Sequence, residues 1–263
     1  MSLHESRIVR HPIIFRRVEV REVVDLSAHM RSIVVAGPEL AGFHSAAPDD
    51  HIKVCFPNAN GDYITPVVGP DGPVYPADQP PSPMRDYTPR HHDADAGTLA
   101  IDFVLHGHGV AGRWAAQARV GDCFVFGGPR GSFLAADDFD HYVLAGDESA
   151  LPAIARWLGE MPAGRRASVL VEIPDDADRQ ELATRADVDI TWLARNGVPA
   201  HASRLLEQAL VDVAPAGDAF WWLACESGRV RALRKALEGE RGIAKEWIRA
   251  TGYWKHSEAD AGA

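Results

Sequence analysis

The sequence has few cysteines and no long apolar run, and each shortage excludes a class of protein. Its three cysteines, Cys55, Cys123 and Cys225, are far apart and form no CxxC pair, which argues against a disulfide framework, a zinc site or a redox dithiol. The longest strongly apolar run, AFWWLAC at 219–225, is far shorter than a membrane span, and the initial MSLHESRIVRHP lacks the apolar segment of a signal peptide. We therefore expect a cytoplasmic protein that is neither exported nor membrane-spanning.

Positive charge is also scarce. The chain has 27 Lys and Arg residues against 37 Asp and Glu residues, and the net charge of -10 opposes binding to nucleic acids or anionic membranes. An anionic ligand would therefore need a local cluster of cations. With 263 residues, 46% of them hydrophobic, the chain has the composition of a globular protein, and its length predicts two modest domains.

The first half has the sequence pattern of an all-β domain. Short runs rich in β-branched and aromatic residues, separated by Gly, Pro and Asp clusters, predict a β-barrel or sandwich; they are IIFRRVEVREVVDL, RSIVVAG, DHIKVCFP, TLAIDFVLH and DCFVFGG. Seven of the 18 prolines lie between Pro66 and Pro83, and this stretch predicts a surface loop at one rim of the barrel.

The second half alternates apolar runs with helical stretches, a pattern that predicts a parallel sheet covered by helices. The runs are HYVLAG, ASVLVEI, DITWLA, AFWWLAC and a final EWIRATGYW, and the helices predicted between them are SALPAIARWLGE, ADRQELATRA, ASRLLEQALVDV and VRALRKALEGE. The predicted domains are residues 1–137 and 138–256, followed by a frayed tail at 257–263.

Two motifs in the first half are suited to a nucleotide. In HGHGVAG, Gly107, Gly109 and Gly112 spell GxGxxG, but a strand follows and there is no βαβ unit, so the Rossmann fingerprint fails. The glycines still allow a ligand to approach the backbone closely, and the N-terminus of the following helix favours phosphate. The alternative is a plain turn. In RDYTPR, a guanidinium, a phenol and a hydroxyl lie on one extended segment, suited to a flat ring with a phosphate tail; a strand end with a solvated Arg is the alternative.

The second half offers a site at the predicted sheet edge. LAGDESALPAI places Asp147, Glu148 and Ser149 at a strand end and helix start, where they serve either as caps or as acceptors for a ligand. Glu172 also ends a strand, where an acid in ordinary dinucleotide folds favours a ribose hydroxyl, and Arg195, Arg229 and Arg231 are candidates for binding a phosphate. The histidines of HHDAD at 91–95 and of HGH at 106–108 have no diagnostic ligand spacing, so we predict no metal site.

Taken in order, RDYT, HGHGVAGRW, GPRGSF, AGDESALPAI, WLACESGRVRALRKAL and GYW resemble the siderophore-interacting proteins over roughly residues 10–256. These are FAD-dependent ferric-siderophore reductases of the ferredoxin-reductase superfamily. The resemblance implies a six-stranded antiparallel FAD-binding barrel followed by an NAD(P)H-binding α/β domain.

The resemblance also implies roles for particular residues. Family members often have Pro-Ala-Ser where this chain has Val110, Ala111 and Gly112, so one hydroxyl donor to phosphate is missing. Trp254 resembles the aromatic residue that closes on the flavin. The implied cofactor-binding residues are Arg85, Asp86, Tyr87, Thr88, Val104, His106, Gly109, Val110, Ala111, Gly112, Trp114, Asp147, Ser149, Ala150 and Trp254, and the cations implied for the anionic siderophore are Lys53 and Arg130.

The expected activity is electron transfer from NAD(P)H through FAD to a ferric siderophore, because NAD(P)H gives a hydride whereas iron accepts one electron. No acid–base residue is then needed, which agrees with the absence of GxSxG and HExxH motifs. The alternatives are a general flavin or ferredoxin-type reductase and a non-catalytic ferric-siderophore-binding protein. The sequence leaves open NADH, NADPH or ferredoxin as donor and a catecholate or hydroxamate siderophore, and we expect a monomer.

Overall fold

The computed structural model describes residues 4–69, 72–107 and 109–256, so the predicted tail at 257–263 lies outside the described residues. The chain divides into two units. The N-terminal unit comprises Ile8–Leu26 and Met30–Leu134. The C-terminal unit runs from Ala135 and also takes in Ser27–His29 and the described residues before Ile8.

In its described residues, the N-terminal unit consists of strands and one α-helix, besides a one-turn 3-10 helix at Pro38–Leu40. They are β1 (Arg7–Arg10), β2 (Phe15–Asp25), β3 (Met30–Ala36), β4 (Ile52–Cys55), β5 (Val67–Gly69), β6 (Gly72–Val74), β7 (Met84–Tyr87), β8 (Pro89–Asp93), β9 (Thr98–Val104), α1 (Gly109–Gln117), β10 (Cys123–Gly127) and β11 (Gly131–Leu134). Seven strands form one antiparallel sheet in the order β7-β4-β10-β2-β3-β9-β8. The predicted antiparallel sheet is therefore confirmed.

This sheet closes on itself through a single residue. Its two edge strands, β7 and β8, are consecutive in the chain, and only Thr88 lies between them. Tyr87 pairs with Ile52 of β4, whereas Pro89 pairs with Ile101 of β9. Because neighbouring Cα atoms are about 3.8 Å apart, the two edges must meet, and the sheet is a barrel. The resemblance implied six strands, whereas this sheet has seven. The difference arises in RDYTPR: its residues before Thr88 pair with β4, those after it pair with β9, and Pro89 has no N–H to continue a single ladder.

Alternation along the strands builds the core of the barrel. On β2 the side chains of Arg16, Val18 and Val20 are buried. The interior combines aliphatic residues with phenylalanines, of which Phe124 and Phe126 have ring centroids 6.2 Å apart. Helix α1 connects β9 to β10, which are not neighbours in the sheet, so the glycine motif indeed lies outside any βαβ unit. In the proline-rich stretch, where a surface loop was expected, β5 is paired antiparallel with β6.

The C-terminal unit has the predicted parallel sheet with helices. Its elements are β12 (His141–Asp147), α2 (Leu151–Glu160), β13 (Arg166–Ile173), β14 (Asp187–Ala194), α3 (Leu205–Asp212), β15 (Ala219–Glu226), α4 (Ser227–Gly239) and β16 (Ile248–Trp254). The five strands are parallel in the order β14-β13-β12-β15-β16. The chain order reverses between β12 and β15, where open sheets of this kind bind ligands beyond the strand ends. Among the described residues, no helix is long and apolar enough to cross a membrane.

One predicted helix is wrong. The segment ADRQELATRA at 177–186 contains only the end of a one-turn 3-10 helix, Asp176–Asp178, and the remainder is irregular. Asp175 accepts a hydrogen bond from the Ala177 backbone N–H and Arg179 pairs with Asp176, so local side-chain contacts take the place of a helical ladder. Three of the four apolar residues in the segment are alanines, too little apolar surface to hold a helix on the sheet.

Candidate functional site

An aromatic cluster lies beside the closing residue of the barrel. The Tyr87 ring packs on Phe103 with centroids 4.3 Å apart, and Trp114 of α1 packs on the same Phe103 ring at 5.9 Å. Phe103 is fully buried, whereas Tyr87 and Trp114 are partly exposed. Burial raises the pKa of the Tyr87 hydroxyl. The structure therefore brings together two predicted cofactor residues through a third, Phe103, that sequence analysis did not single out.

The first turn of α1 begins in a glycine-rich segment. Gly107 and Gly109 have φ angles of 74° and 68°, which disfavour other residues. A Cβ atom on Gly112 would lie 3.0 Å from Cε1 of His106, so the His106 ring covers this face of the turn. Ala111 is buried in the barrel core, and Val110 packs against that core. The first N–H groups of the helix have no acceptor within it and attract an anion.

These residues fit a cofactor with a flat ring and a diphosphate. Tyr87 and Trp114 offer aromatic surface for the ring, and Thr88, which is 6% exposed, lies between the two edge strands. The first turn of α1 offers N–H donors for the diphosphate, beside glycines that have no side chain. Arg85 is exposed, and its Nη1 donates to the Met84 carbonyl at 2.8 Å, so its other donors remain for a phosphate. Val104 ends β9, the strand that leads into the glycine motif.

Two of the predicted residues are paired with each other. Lys53 Nζ lies 2.7 Å from Asp86 Oδ1, and the two side chains are 54% and 49% exposed. Lys53 was assigned to the siderophore and Asp86 to the cofactor, and the pairing was not foreseen because the two residues are 33 positions apart. In the β4–β10 ladder Lys53 is opposite Gly127, three residues before the exposed Arg130. The barrel therefore presents both predicted cations at the same end of β10.

In the C-terminal unit, a buried carboxylate organises the predicted residues at the end of β12. Asp147 is fully buried; its Oδ2 accepts from Trp254 Nε1 at 2.8 Å and its Oδ1 from the Ser149 backbone N–H at 3.0 Å. Burial, reinforced by the Glu148 charge, raises the pKa of Asp147 to about 7. Ala150 is fully buried at the N-cap of α2. Asp147, Ser149 and Trp254 thus form one hydrogen-bonded group at the carboxyl edge of the sheet.

Two arginines predicted to be available for phosphate are already occupied. Arg195 binds Glu148 through both terminal nitrogens at 2.6 Å, and Arg229 binds Glu172 and Glu207 at 2.8 Å. Glu172 is fully buried and is not available to a ribose hydroxyl. The hypothesis of a phosphate site at Arg195 and Arg229 is therefore wrong, because both guanidinium groups are buried and neutralised by carboxylates.

Arg231 is exposed and remains a candidate cation of the C-terminal unit. The histidine-containing segments build no metal centre in the part of the chain that the structure describes, where no group of three or more His, Cys, Asp or Glu side chains could hold an ion. His108 of the glycine motif lies outside the described residues.

Comparison with known proteins matches both halves of the chain to family models. Residues 19–133 match the siderophore-interacting FAD-binding domain, and residues 139–257 match the siderophore-interacting protein model. The NADPH-dependent ferric-chelate reductase of Escherichia coli K12 is 36% identical over 249 residues, covering 94% of this chain and 95% of that protein. The ferric vibriobactin reductase ViuB of Vibrio cholerae is 34% identical over 240 residues, covering 89% of this chain and 86% of that protein.

A solved structure shows the same architecture over nearly the whole chain. The crystal structure of a siderophore utilization protein from T. fusca superposes with a TM-score of 0.90 at 37% identity. The match covers 97% of this chain and 98% of that one, so both units have counterparts in it.

Proposed function

The chain belongs to the siderophore-interacting protein family, and on that premise we propose that it is a FAD-dependent reductase that transfers electrons from NADPH to ferric siderophores. The observation that carries the proposal is the barrel site, where Tyr87, Thr88, Trp114 and the first turn of α1 fit a ring with a diphosphate. The relatives at 36% and 34% identity are named as reductases of ferric chelates.

The oxidation state of the iron explains why a reductase releases it from a siderophore. Highly charged Fe(III) matches the hard oxygen donors of a siderophore, whereas Fe(II) binds them less tightly, so reduction loosens the chelate and releases the metal for assimilation. FAD, when bound, supplies the conversion of a hydride from NADPH into single electrons. The chain itself then has to hold the ring and the diphosphate, admit the chelate and bind the donor.

Tyr87 and Trp114 hold the cofactor in this proposal. Both rings are braced by the buried Phe103, so their orientation is fixed before binding. Thr88 contributes a hydroxyl at the barrel joint and Arg85 a cation. Because Gly112 has no hydroxyl, the backbone N–H groups of α1 bind the diphosphate. By resemblance, Val104, His106 and Ala111 also line this cofactor site.

Lys53 and Arg130 admit the anionic chelate. With a net charge of -10 the whole chain repels a polyanion, so a local positive region is needed for capture. Asp86 holds the Lys53 ammonium at 2.7 Å, and we infer that an incoming chelate competes with this carboxylate. The C-terminal unit binds the donor, with Asp147, Ser149 and Ala150 at the edge of its sheet. The resemblance assigns Trp254 to the flavin.

Three further assignments belong to this proposal. We place the domain division between residues 137 and 138, as the sequence predicts. The cysteines are free, which agrees with activity in a reducing cytoplasm. The monomer is the form in which we propose that the protein acts.

Anaerobic reduction tests the function directly. The FAD-loaded protein should bleach with NADPH and recolour on addition of a ferric siderophore, while a ferrous chelator develops colour; NADH run in parallel identifies the donor. Failure to take up FAD would exclude the reductase and leave a non-catalytic binding protein. Bleaching without reoxidation by ferric chelates would favour a general flavin or ferredoxin-type reductase.

A further inference from the structure

A buried carboxylate at the carboxyl edge of the parallel sheet fixes the direction of a hydroxyl hydrogen bond. Asp147 ends β12 and is fully buried. Its Oδ2 accepts from Trp254 Nε1 at 2.8 Å, and its Oδ1 accepts from the Ser149 backbone N–H at 3.0 Å and from the Ser149 hydroxyl at 2.5 Å. An indole N–H and a backbone N–H can only donate, whereas a hydroxyl both donates and accepts. The Ser149 hydroxyl is therefore the partner whose role can change.

The turn that carries Ser149 is held tightly against the sheet. A Cβ atom on Gly146 would collide with the Ala150 side chain and would lie 2.5 Å from the Ala224 carbonyl oxygen, so only glycine fits there. Ala150 is fully buried, and its backbone N–H donates to the Asp147 carbonyl at 2.9 Å. These contacts fix the position of Ser149 relative to Asp147.

Of the three polar side chains in this turn, Ser149 is the one that a ligand can reach. Asp147 is buried, and both carboxylate oxygens of Glu148 are bound by Arg195 at 2.6 Å. The Ser149 side chain is partly exposed, and because its hydrogen goes to Asp147, its oxygen presents lone pairs. While Asp147 is ionised, Ser149 therefore accepts a hydrogen bond from a ligand and cannot donate one.

The charge of this turn limits which part of an electron donor can bind there. The carboxylates of Asp147 and Glu148 oppose a phosphate, whereas an acceptor oxygen attracts an uncharged N–H or O–H group. The turn lies beside the point where the chain order reverses between β12 and β15, the place where open parallel sheets bind ligands. The carboxamide of a nicotinamide ring suits this place, because it is uncharged and carries both N–H donors and a carbonyl acceptor.

The charged surroundings of Asp147 contain more acid than base. Burial, reinforced by the Glu148 charge, raises the pKa of Asp147 to about 7. Ala150 and Trp254, which contact it from α2 and β16, carry no charge. Burial also raises the pKa of Cys225 on β15, so this thiol is neutral. The surrounding charged groups are three glutamates and two arginines: Glu148, Glu172 opposite Asp147 on β13, Glu207, Arg195 and Arg229.

A proton on Asp147 would reverse the hydrogen bond to Ser149. A protonated carboxyl group has to donate its hydrogen, and neither Trp254 Nε1 nor the Ser149 backbone N–H can accept it. The Ser149 oxygen accepts it instead, and the Ser149 hydrogen then turns towards a ligand. Ionised Asp147 thus makes Ser149 an acceptor, and protonated Asp147 makes it a donor.

We propose that Ser149 accepts a hydrogen bond from the carboxamide N–H of the nicotinamide ring, and that Asp147 is the positioning residue that gives Ser149 this acceptor role. The inference rests on the proposed function and deepens it by naming the part of NADPH that Ser149 recognises. Ser149 selects a dinucleotide whose ring carries an amide. This selection is lost when Asp147 takes up a proton, because a donating Ser149 binds a carbonyl oxygen, with or without an amide nitrogen beside it.

Two electron donors that differ at the amide test this proposal. They are NADPH and its reduced 3-acetylpyridine analogue, in which a methyl group replaces the NH2 group. Stopped-flow reduction of the full-length, FAD-loaded protein under anaerobic conditions gives a dissociation constant for each donor, separately from the limiting rate, at about pH 8.5 and about pH 6. The variants are Ser149→Ala, Ser149→Thr and Asp147→Asn. Ser168→Ala is the matched control, because Ser168 bonds His141 at the start of β12, at the opposite edge of the sheet.

At about pH 8.5, wild type should bind NADPH about three- to tenfold more tightly than the analogue, as expected for one hydrogen bond between neutral groups. Ser149→Thr and Ser168→Ala should keep this preference, whereas Ser149→Ala should bind the two donors within about twofold of each other. At about pH 6 the wild-type preference should fall to about twofold or less, because Asp147 is then mostly protonated. Asp147→Asn, whose amide can donate to Ser149, should show no preference at either pH.

An unchanged preference for NADPH in Ser149→Ala, or no preference in wild type at about pH 8.5, would overturn the inference. Equal weakening of both donors in Ser149→Ala would place a ribose hydroxyl at Ser149 and would overturn it too. A wild-type preference that is the same at both pH values would overturn the role of Asp147. Ser149→Ala removes one partly exposed hydroxyl, so the test stands even if Asp147→Asn does not fold. If NADPH does not reduce the wild type, the proposed function itself fails; if it does and Ser149→Ala keeps the preference, only the role of Ser149 fails.

Discussion

At the scale of single residues, Lys53 shows how an acidic protein can prepare a cation for an anionic ligand. Its ion pair with Asp86 is half-exposed, and such pairs contribute little to stability, so a ligand can replace the carboxylate at small cost. The side chain is held in place before the ligand arrives.

Lys53→Ala should therefore affect capture of the chelate and leave the donor reaction unchanged. We expect the KM for an anionic ferric chelate to rise about three- to tenfold, less than for a fully buried charged contact because the site is partly solvated. Turnover of NADPH with a small neutral dye should stay within twofold. Lys245→Ala is the control, since Lys245 is exposed and pairs with Glu246 in the other unit. Equal losses with chelate and dye would contradict the role of Lys53.

Gly112 offers a test of the cofactor site that is independent of turnover. A serine at 112 restores the hydroxyl that family members often have, but its Cβ would lie 3.0 Å from the His106 ring. We therefore make the change in a His106→Ala background, where this contact is absent, and expect Gly112→Ser to tighten FAD binding about five- to tenfold relative to His106→Ala alone, as one hydrogen bond to a charged group would. Calorimetric titration of the apo-protein with FAD measures this change. An affinity no higher than that of His106→Ala alone would place the diphosphate elsewhere.

At the scale of elements, the sequence predicts those features that depend on local pattern. The alternation in FRRVEVREVVD predicts β2, and the apolar run HYVLAGD predicts β12. The joint at Thr88 depends on two different neighbours, β4 and β9, which no local pattern reveals. Arg195 and Arg229 likewise look available in the sequence, because their glutamate partners are 22 to 57 residues away. Pairings over such separations are set by the sheet order and could not be predicted.

Near the N-terminus, His4 forms an ion-pair cluster with residues of the C-terminal unit, and the strength of this cluster depends on pH. The His4 ring lies 2.8 Å from Asp138 and 3.1 Å from Asp218, and it stacks on Phe139 at 3.9 Å. Although burial acts to lower it, hydrogen bonds from the His4 ring to the carboxylates of Asp218 and Asp138 raise the pKa of His4 above 6.5. Hydrogen bonds from the His4 backbone N–H and ring lower the pKa of Asp138 below 3.8.

The two shifts define the pH window of this cluster. The raised His4 pKa gives stability that is fully present below pH 6.5 and is lost as the pH rises through the folded-state value. The lowered Asp138 pKa gives stability that is present above pH 3.8 and is lost as the pH falls. The Tm difference between wild type and His4→Ala should therefore be largest near pH 5 and smaller at pH 8.5, in thermal scans monitored by circular dichroism. A difference that does not vary with pH would assign the effect to ring stacking alone; Lys245→Ala serves as the control.

At the scale of the whole molecule, the net charge of -10 and the local cations act on an anionic chelate over different distances. Repulsion by the whole chain is long-range, and raising the salt from about 10 mM to about 150 mM shortens the Debye length from about 30 Å to about 8 Å. Contacts with Lys53 and Arg130 form at a few ångströms and are screened less. Salt in this range should therefore remove more repulsion than attraction.

The salt dependence of kcat/KM follows from this difference. For a trianionic chelate, we expect wild-type kcat/KM to rise modestly up to about 150 mM salt and then to fall as the contacts themselves are screened. In Lys53→Ala/Arg130→Ala the attractive contribution is removed, so kcat/KM should start lower and rise over the whole range. A neutral chelate should give a flat profile in both proteins. A steady fall for wild type from the lowest salt would mean that the local cations dominate at every distance, and that the net charge has no part in selecting the substrate.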